Sequence, residues 1–390
     1  MIDAEYDLEI DCVGCGLCAI KCPNNAISMQ KNYEGFSYPH VDSNLCNSCG
    51  GCYNLCPKYN NNKNEYQQKV FAVWNLDDDI RKSSSSGGVF TAFASHVLKS
   101  GGVVVGAAFD DNLVVKHIIV DSFRDLYKLR GSKYVQSEIT SELYYNIETK
   151  LNKGMIVLFV GTPCQVYAIK LFLGDIHENL ITCDIVCHGV PSPLLFNKHI
   201  NFLSTEIGDI TGINFRDKTH GWVNYNIKYN INGSNDLINK ANEDFYMIAF
   251  LKNYSLRTSC YNCEFTTLER CGDITLGDFW AVDKKYPKYD KENKGTSLVL
   301  VNTKCGMELL DVCSGGLFIA EADSDTAIFG NLMLSKPADK PDERDSFYKD
   351  LNNIEYDKVI EKYNLHKMNK GRHVISKIIS KFKYTVGGMR

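Results

Sequence analysis

Sixteen cysteines are the residues with the most evident chemistry in this sequence, and half of them fall within its first 56 positions. These eight form two runs with the same spacing, C-x2-C-x2-C-x3-C-P. Three thiolates at such intervals can ligate one [4Fe–4S] cubane, while the fourth cysteine of each run ligates the other cluster. The spacing therefore predicts two clusters. One is held by Cys12, Cys15, Cys18 and Cys56, and the other by Cys46, Cys49, Cys52 and Cys22.

A pair of structural zinc sites is the alternative for these cysteines, but zinc modules usually take two short cysteine pairs. The C-x3-C-x2-C triplet of radical enzymes that cleave S-adenosylmethionine does not occur in the sequence. Positions 8–58 resemble bacterial two-cluster ferredoxins. We therefore expect residues 1–60 to form a ferredoxin-type domain.

Two polar loops further along precede predicted helices. Residues 83–88, SSSSGG, offer serine caps and glycines that let a phosphate approach free backbone amides. A capped helix without a ligand is equally compatible with this loop. Residues 131–137, GSKYVQS, offer a cation, hydroxyls and an amide for a phosphate or a flavin edge. A surface turn is the alternative for this second loop.

Six more cysteines lie further along the chain, several of them where strands end or helices begin. Cys164 follows Thr162 and Pro163, which suit the cap and first position of a helix, so the helix field can stabilise its thiolate. Cys183 lies in a predicted strand and Cys187 follows it, Cys260 and Cys263 form a C-x2-C pair, and Cys271 comes eight positions later. Isolated internal cysteines are usually inert core residues. Their number downstream of a cluster module nevertheless favours a third metal site.

The chain between about 71 and 320 alternates short β-branched runs with helical patterns. Strands are predicted at 103–109, 114–120, 155–160, 180–186, 224–229, 273–276 and 298–301. Helices are predicted at 88–99, 138–153, 163–173, 193–204 and 244–254. Such alternation is typical of an α/β or α+β domain with a mixed sheet. The polar segment 61–70 is predicted to be a linker, and residues 321–390 are predicted to form a lysine-rich helical tail.

Six motifs in this order are similar to those of a known family, the coenzyme F-420 hydrogenase/dehydrogenase beta subunits: SSGGVF, GSKYVQS, GTPCQ, CHGVPSP, CYNC and DITLGDFW. The resemblance covers about residues 70–305. It implies a mixed-sheet domain that binds FAD and a third [4Fe–4S] cluster. The implied cluster ligands are Cys164, Cys187, Cys260 and Cys263, with Cys183 and Cys271 as substitutes.

The resemblance also implies a set of flavin-site residues in the matched motifs. They are Ser86, Gly87, Gly88, Lys133, Tyr134, Gln136, Ser137, Thr162, Gln165, Asp278 and Trp280. The Trp280 ring could lie against a planar cofactor, although a buried core tryptophan is the alternative. No catalytic residue is identified. Cys305 and Cys313 are predicted to be core residues.

Composition and charge indicate which broad class of protein this chain belongs to. A net charge of -4 gives no nucleic-acid signature. The apolar runs are strand-sized, and clustered cysteines without a secretory signal indicate a reducing, cytoplasmic setting. From His373 onward the sequence predicts a short basic amphipathic helix. It could contact an anionic membrane surface, although docking on the protein body is favoured.

These features together predict an iron–sulfur flavoprotein oxidoreductase that acts on an organic substrate or a deazaflavin-type coenzyme. The alternative is a non-catalytic electron-transfer subunit that serves a partner enzyme, for example in polysaccharide biosynthesis. The sequence lacks a G-x-G-x-x-G nicotinamide fingerprint. It indicates neither the physiological substrate nor the oligomeric state.

Overall fold

The computed structural model describes residues 11–59, 66–174, 177–289 and 292–366. The helix expected from His373 onward lies outside these residues, as does the first half of the expected linker, whose last two positions belong to a strand that begins at Lys69. No helix within the described ranges is both long and apolar enough to cross a bilayer.

The N-terminal region pairs an antiparallel hairpin with two short helices. The hairpin consists of β1 (Ile27–Lys31) and β2 (Ser37–Val41), with Ile27 opposite Val41. The helices α1 (Leu17–Ile20) and α2 (Gly51–Asn54) each follow a glycine in the left-handed region, Gly16 and Gly50. The two cysteine runs therefore fold alike, because glycine adopts this backbone conformation without strain.

An eight-stranded mixed sheet forms the body of the chain, as the alternating pattern predicts. Its strands are β3 (Lys69–Asn75), β4 (Val103–Phe109), β5 (Val115–Val120), β6 (Val157–Gly161), β7 (Leu180–Ile185), β11 (Ile274–Asp278), β12 (Ser297–Val301) and β13 (Leu317–Ala322). The spatial order is β13-β3-β12-β11-β7-β6-β4-β5. Strands β4, β6, β7 and β11 run parallel to one another, and the remaining neighbours pair antiparallel.

Helices cover both faces of this sheet. Successive residues of β4 point to opposite faces: Val104 packs with α4 (Val89–Lys99) and α10 (Lys304–Val312), whereas Val103 and Val105 pack with α5 (Ser141–Asn152) and α6 (Pro163–Leu173). Leu17 of the N-terminal region is fully buried in the second of these layers. The ferredoxin-like region is therefore packed into the body of the protein.

A smaller sheet carries the remaining strands in the order β10-β9-β8. They are β8 (Ile210–Asp217), β9 (Asn226–Ile231) and β10 (Leu237–Lys240). Around them pack α7 (Pro193–Ile207), α8 (Phe245–Leu251), α12 (Arg344–Asn353) and α13 (Tyr356–Lys362), which share one buried cluster with Phe36 and Tyr38. The short helices α3 (Asp78–Ser83), α9 (Val282–Lys285) and α11 (Ser324–Gly330) complete the described elements.

Candidate metal and cofactor site

The carboxyl ends of three adjacent parallel strands meet at one edge of the large sheet. Cys164 follows β6, Cys187 follows β7, and Asp278 and Trp280 lie at the end of β11. Ligand sites in open α/β sheets form at this edge. The first turn of α6 is held by a capping box between Thr162 and Gln165, which fixes the direction of the Cys164 segment.

Four downstream cysteines from three separate segments line one cavity beside this edge. They are Cys164, Cys187, Cys260 and Cys263. Cys260 lies within a 3-10 turn, Thr258–Asn262, and Cys263 follows that turn directly. The structure therefore brings together the four thiols expected to hold a third cluster.

The other downstream cysteines lie elsewhere. Cys183 and Cys313 are buried in the apolar layer between the large sheet and α4. The Cys271 thiol donates to the Pro163 carbonyl at 3.2 Å, so it lies near Cys164 without lining the cavity. Cys305 belongs to α10, away from the strand ends that carry Cys164 and Cys187.

Burial keeps the thiols of this cavity neutral when no metal is bound. Burial, together with the neighbouring thiols, raises the pKa of Cys164 to about 11 and that of Cys260 to about 12. Burial also raises the pKa of Cys187 well above its usual value, with contributions from the other three thiols. Without a cation these groups stay neutral, whereas coordination to a metal deprotonates a thiol outright.

The spacing of the thiols bears on the kind of metal group they could hold. A zinc ion needs sulfur ligands at about 2.3 Å from one point. No group of three or more His, Cys, Asp or Glu side chains in the described parts of the chain is placed to hold a single metal ion. A cubane takes its thiolates at four different irons and needs them further apart. An all-cysteine donor set of this kind fits an iron–sulfur cluster.

The first N-terminal thiol set gathers around a second cavity. It contains Cys12, Cys15, Cys18 and Cys56, and Cys52 of the other set also lines this cavity. Burial raises the pKa of Cys15 well above its usual value, and Cys12, Cys18 and Cys56 raise it further. The structure thus places Cys56 of the second run beside three cysteines of the first.

The second N-terminal set faces outward. Cys49 is exposed, whereas Cys22, Cys46 and Cys52 are partly buried. The Cys22 sulfur accepts a hydrogen bond from the Ala26 amide at 3.3 Å. The thiols of the two sets therefore differ in their access to solvent.

Cys15 lines both the first-set cavity and the four-cysteine cavity. Val13 is also common to the two linings. The segment from Val13 to Cys15 is therefore all that separates the first thiol set from the downstream one at this point. Groups bound in the two cavities would be immediate neighbours.

Polar contacts hold this segment in place. The Gln136 amide donates to the Val13 carbonyl at 3.2 Å, and the Tyr144 hydroxyl donates to the Cys15 carbonyl at 3.1 Å. Arg257 donates to the Cys12 carbonyl at 2.6 Å. The ferredoxin-like region is thus bonded to the body at the residues next to its ligands.

A buried ion pair fixes the far side of the same region. Both carboxylate oxygens of Glu34 accept from Arg344 of α12, at 2.6 and 2.7 Å, and the two side chains are 3% and 2% exposed. The Ser192 hydroxyl donates to the Glu34 carbonyl. The hairpin is therefore tied to both α7 and α12.

The expected flavin-site residues fall into two places. Gln136, Ser137, Thr162 and Gln165 line the four-cysteine cavity. The loop at Ser86, Gly87 and Gly88 lies elsewhere and contacts the loop at Lys133: the Ser132 amide and hydroxyl donate to the Ser85 hydroxyl at 2.7 and 3.0 Å. The segment from Lys133 to Gln136 therefore connects the two places.

Close packing accounts for one of the glycines in the serine loop. The Gly87 amide donates to the Ser297 hydroxyl at 2.9 Å. A Cβ at Gly87 would lie 2.4 Å from the Val73 carbonyl oxygen. Gly87 is thus required for the approach of the loop to the sheet, and its amide is already bonded within the protein.

Lys133 is a cation without an anionic partner. Its ammonium donates to the Lys128 and Arg130 carbonyls, both at 2.8 Å, and no carboxylate among the described residues pairs with it. Burial lowers the pKa of Lys133 to about 7. A phosphate at this position would supply the missing negative charge, so the donor set fits the anionic part of a dinucleotide.

Asp278 and Trp280 belong to a layer of charged and aromatic side chains. Arg216 donates to both Asp278 oxygens at 2.6 and 3.1 Å and to the Tyr134 hydroxyl at 3.2 Å. The Trp222 indole donates to Asp278 at 2.8 Å and stacks on Trp280 at 4.6 Å. The Nε of Arg216 is buried without a hydrogen-bond partner within the described chain. The Arg216 Nε–H is therefore a hydrogen-bond donor that the contacts within this layer leave unused.

Comparison with protein families identifies the three parts of the chain. Residues 11–60 match a 4Fe-4S dicluster domain. Residues 70–143 and 154–325 match the N-terminal and C-terminal parts of the coenzyme F420 hydrogenase/dehydrogenase beta subunit. The chain belongs to this family of beta subunits. The predicted family is thereby confirmed, together with the iron–sulfur character of the N-terminal region.

Several relatives of this beta subunit match over different lengths. One of the F(420)H(2) dehydrogenase subunits of Methanosarcina mazei is 22% identical over 80% of this chain and 84% of its own. The coenzyme F420-dependent sulfite reductase of Methanocaldococcus jannaschii is 30% identical over 41% of this chain, which spans only 24% of that protein. A chain of the F420-reducing [NiFe] hydrogenase complex from Methanosarcina barkeri has a TM-score of 0.46 at 16% identity, over 77% of this chain and 92% of its own.

Several polar residues at the candidate site of this beta subunit were not identified from the sequence. They include Arg216, Trp222 and Arg257. Each lies outside the six motifs, and a lone arginine or tryptophan has no spacing that identifies it. Arg257 stands three positions before Cys260, and that proximity is the only signal that the sequence offers.

Proposed function

We propose that the chain is an iron–sulfur flavoprotein that passes electrons between three [4Fe–4S] clusters and FAD, to reduce or oxidise an organic substrate or a deazaflavin-type coenzyme. The observation that carries this proposal is the presence of Cys15 in the lining of both thiol cavities. When bound, clusters supply one-electron transfer, and a flavin converts it to two-electron chemistry. The coenzyme named in two relatives supports the deazaflavin substrate.

The protein's own residues have distinct tasks under this proposal. Cys164, Cys187, Cys260 and Cys263 hold the third cluster, and the hydrogen bonds from Gln136 and Tyr144 fix the first set beside them. Cys12 of the first set is buried, whereas Cys49 of the second set is exposed and would be accessible for exchange with another redox centre.

The FAD site is proposed at the serine loop and the Lys133 loop. Lys133 would bind a phosphate, since it has no anionic partner of its own. The Lys218 ammonium donates to the Ser86 carbonyl and lies two positions beyond Arg216, so it links the serine loop to the Asp278 and Trp280 layer. The unused Nε of Arg216 would serve as a donor to the cofactor.

A second candidate function is an electron-transfer subunit whose catalytic partner is a separate protein. Leu45 and Tyr53 are 53% and 47% exposed near the solvent-facing Cys49. An apolar rim around an accessible redox centre would suit a protein partner. Reduction of a dye by the isolated chain with reduced deazaflavin or NAD(P)H would favour the enzyme, whereas strict dependence on a co-purifying protein would favour the subunit.

Metal analysis tests the cluster count directly. Protein purified without oxygen should contain about twelve iron and twelve acid-labile sulfide per chain, as three [4Fe–4S] cubanes require. About eight iron would remove the third cluster from the proposal. Zinc without sulfide would overturn all three clusters.

Replacing Lys133 by methionine should weaken FAD binding about tenfold or more, the effect of losing a charged hydrogen bond. Because burial lowers the pKa of Lys133 to about 7, the free protein loses this ammonium as the pH rises through that value. FAD affinity should be constant at lower pH and fall at higher pH, since binding an anion then requires proton uptake. Titration by fluorescence across this range measures both effects.

Lys128→Met provides the matched control, because Lys128 is partly exposed and pairs with Asp125. It should leave FAD affinity and its pH profile unchanged. Equal affinities in the two variants would place the cofactor away from Lys133.

A further inference from the structure

Arg257 is a fully buried cation at the junction between the ferredoxin-like region and the body. Its Nε donates to the Cys12 carbonyl at 2.6 Å, Nη2 to the Ser37 carbonyl at 2.9 Å and Nη1 to the Gln136 amide oxygen at 3.2 Å. The guanidinium also lies 4.1 Å from the centre of the Tyr38 ring. Its position is therefore fixed from several sides.

None of these contacts neutralises the charge of Arg257. All three acceptor oxygens are uncharged, and no carboxylate among the described residues pairs with the guanidinium. Three other buried arginines do have carboxylate partners. The pairs are Arg216 with Asp278, Arg270 with Asp184, and Arg344 with Glu34. Burying an unpaired charge destabilises the folded state, so we expect a negative counter-charge next to Arg257.

The surroundings of Arg257 show where that counter-charge would lie. Arg257 lines the four-cysteine cavity. It also bonds to the backbone of Cys12, and a Cβ at Gly14 would lie 2.8 Å from its Nη1. The guanidinium therefore contacts the segment between the two thiol cavities. No hydrogen bond or ring contact of Arg257 within the described chain involves the outer thiol set.

We infer that Arg257 is a shared counter-charge for the clusters of the first thiol set and the four-cysteine cavity, and that it makes both clusters easier to reduce. The inference rests on the proposed function for the presence of the clusters. A cubane with four thiolates is an anion and becomes more negative on reduction. A fixed cation beside it stabilises the reduced state, and more so in a dry interior than in water. Arg257 is thus a positioning and tuning residue that ligates no iron.

Arg257→Gln tests this role, with midpoint potentials measured by redox titration and electron paramagnetic resonance. The potentials of the first-set and third clusters should each fall by about 59 mV or more, a tenfold loss of electron affinity for a one-electron couple. The outer cluster of Cys22, Cys46, Cys49 and Cys52 should keep its potential and serves as an internal control. Lys31→Gln, at an exposed pair with Glu138, controls for removal of a distant charge.

Arg257→Lys separates charge from shape. Lysine cannot reproduce the three-way hydrogen bonding, but it keeps the cation, so the potentials should stay close to those of the wild type. A shift in Arg257→Lys as large as that in Arg257→Gln would overturn the inference, as would unchanged potentials in Arg257→Gln.

Failure of the inference can be told from failure of the proposed function by iron content. A wild-type chain without the third cluster removes the proposed site itself, whereas intact clusters with unmoved potentials remove only the role of Arg257. If Arg257→Gln assembles no clusters, Gln136→Glu places a carboxylate next to Arg257 and should lower the same two potentials. Unchanged potentials in that variant would likewise reject the counter-charge.

Discussion

Replacing Cys260 by serine is expected to remove about four of twelve irons per chain and leave two clusters intact, the arithmetic of losing one [4Fe–4S] cubane. The eight N-terminal cysteines can form their two clusters without any downstream ligand. The four-cysteine cavity, by contrast, depends on thiols from three separate segments. A serine there replaces a soft sulfur ligand with a hard oxygen and leaves the third cluster open to loss. Cys263→Ser should behave in the same way.

Iron and sulfide analysis of each variant measures the outcome. Cys183→Ser is the control, because that thiol is also away from bulk solvent but lies in the apolar layer between the large sheet and α4. Cys271→Ser should also keep all its iron, since Cys271 bonds to the Pro163 carbonyl and does not line the cavity. Loss of iron from Cys271→Ser but not from Cys187→Ser would show that the ligand assignment is wrong. A full complement of iron in both Cys260→Ser and Cys263→Ser would make this pair structural.

Arg344→Met should lower the free energy of unfolding by about 3–5 kcal/mol, the effect of leaving a buried carboxylate without its partner. The pair with Glu34 is bidentate and almost fully buried. The double variant Glu34→Leu with Arg344→Met should recover most of the loss, because it removes both charges and retains apolar volume. Urea unfolding of the cluster-loaded chain measures each difference.

Lys304→Met is the control for this comparison. Lys304 pairs with Glu308 on α10, where the two side chains are 86% and 67% exposed. Breaking such an exposed pair changes stability by less than about 1 kcal/mol. An Arg344→Met variant as stable as Lys304→Met would show that the ion pair does not hold the ferredoxin-like region to the body.

Local patterns were sufficient to predict much of the large sheet. The predicted strand at 103–109 coincides with β4, and the predicted helix at 163–173 coincides with α6. Both segments carry strong local signals, an apolar β-branched run and a Thr-Pro start. Of the small sheet only β9 was predicted, from the run at 224–229, whereas β8 was missed because it mixes glycine, asparagine and charged residues without strict alternation. Strand β13 pairs with β3 across more than two hundred positions, a partnership that no local pattern specifies.

The residues of the candidate site also differ in how far the sequence could predict them. Spacing alone predicted the two N-terminal ligand sets, because a cubane imposes its geometry on neighbouring positions. The four-cysteine cavity joins three distant segments, and only resemblance to a family pointed to its members. Arg257 could not be predicted, since its role depends on contacts with Cys12, Ser37 and Gln136, which are brought to it by the fold.

The pairing of Glu34 with Arg344 also has a consequence for the order of events during translation. The two residues are 310 positions apart. At ordinary elongation rates, a ribosome needs about 15 to 60 s to proceed from one to the other. Throughout that interval the nascent hairpin lacks the helix that later covers Glu34. If the N-terminal cysteines hold clusters as proposed, they are synthesised well before the helix that later packs against their hairpin.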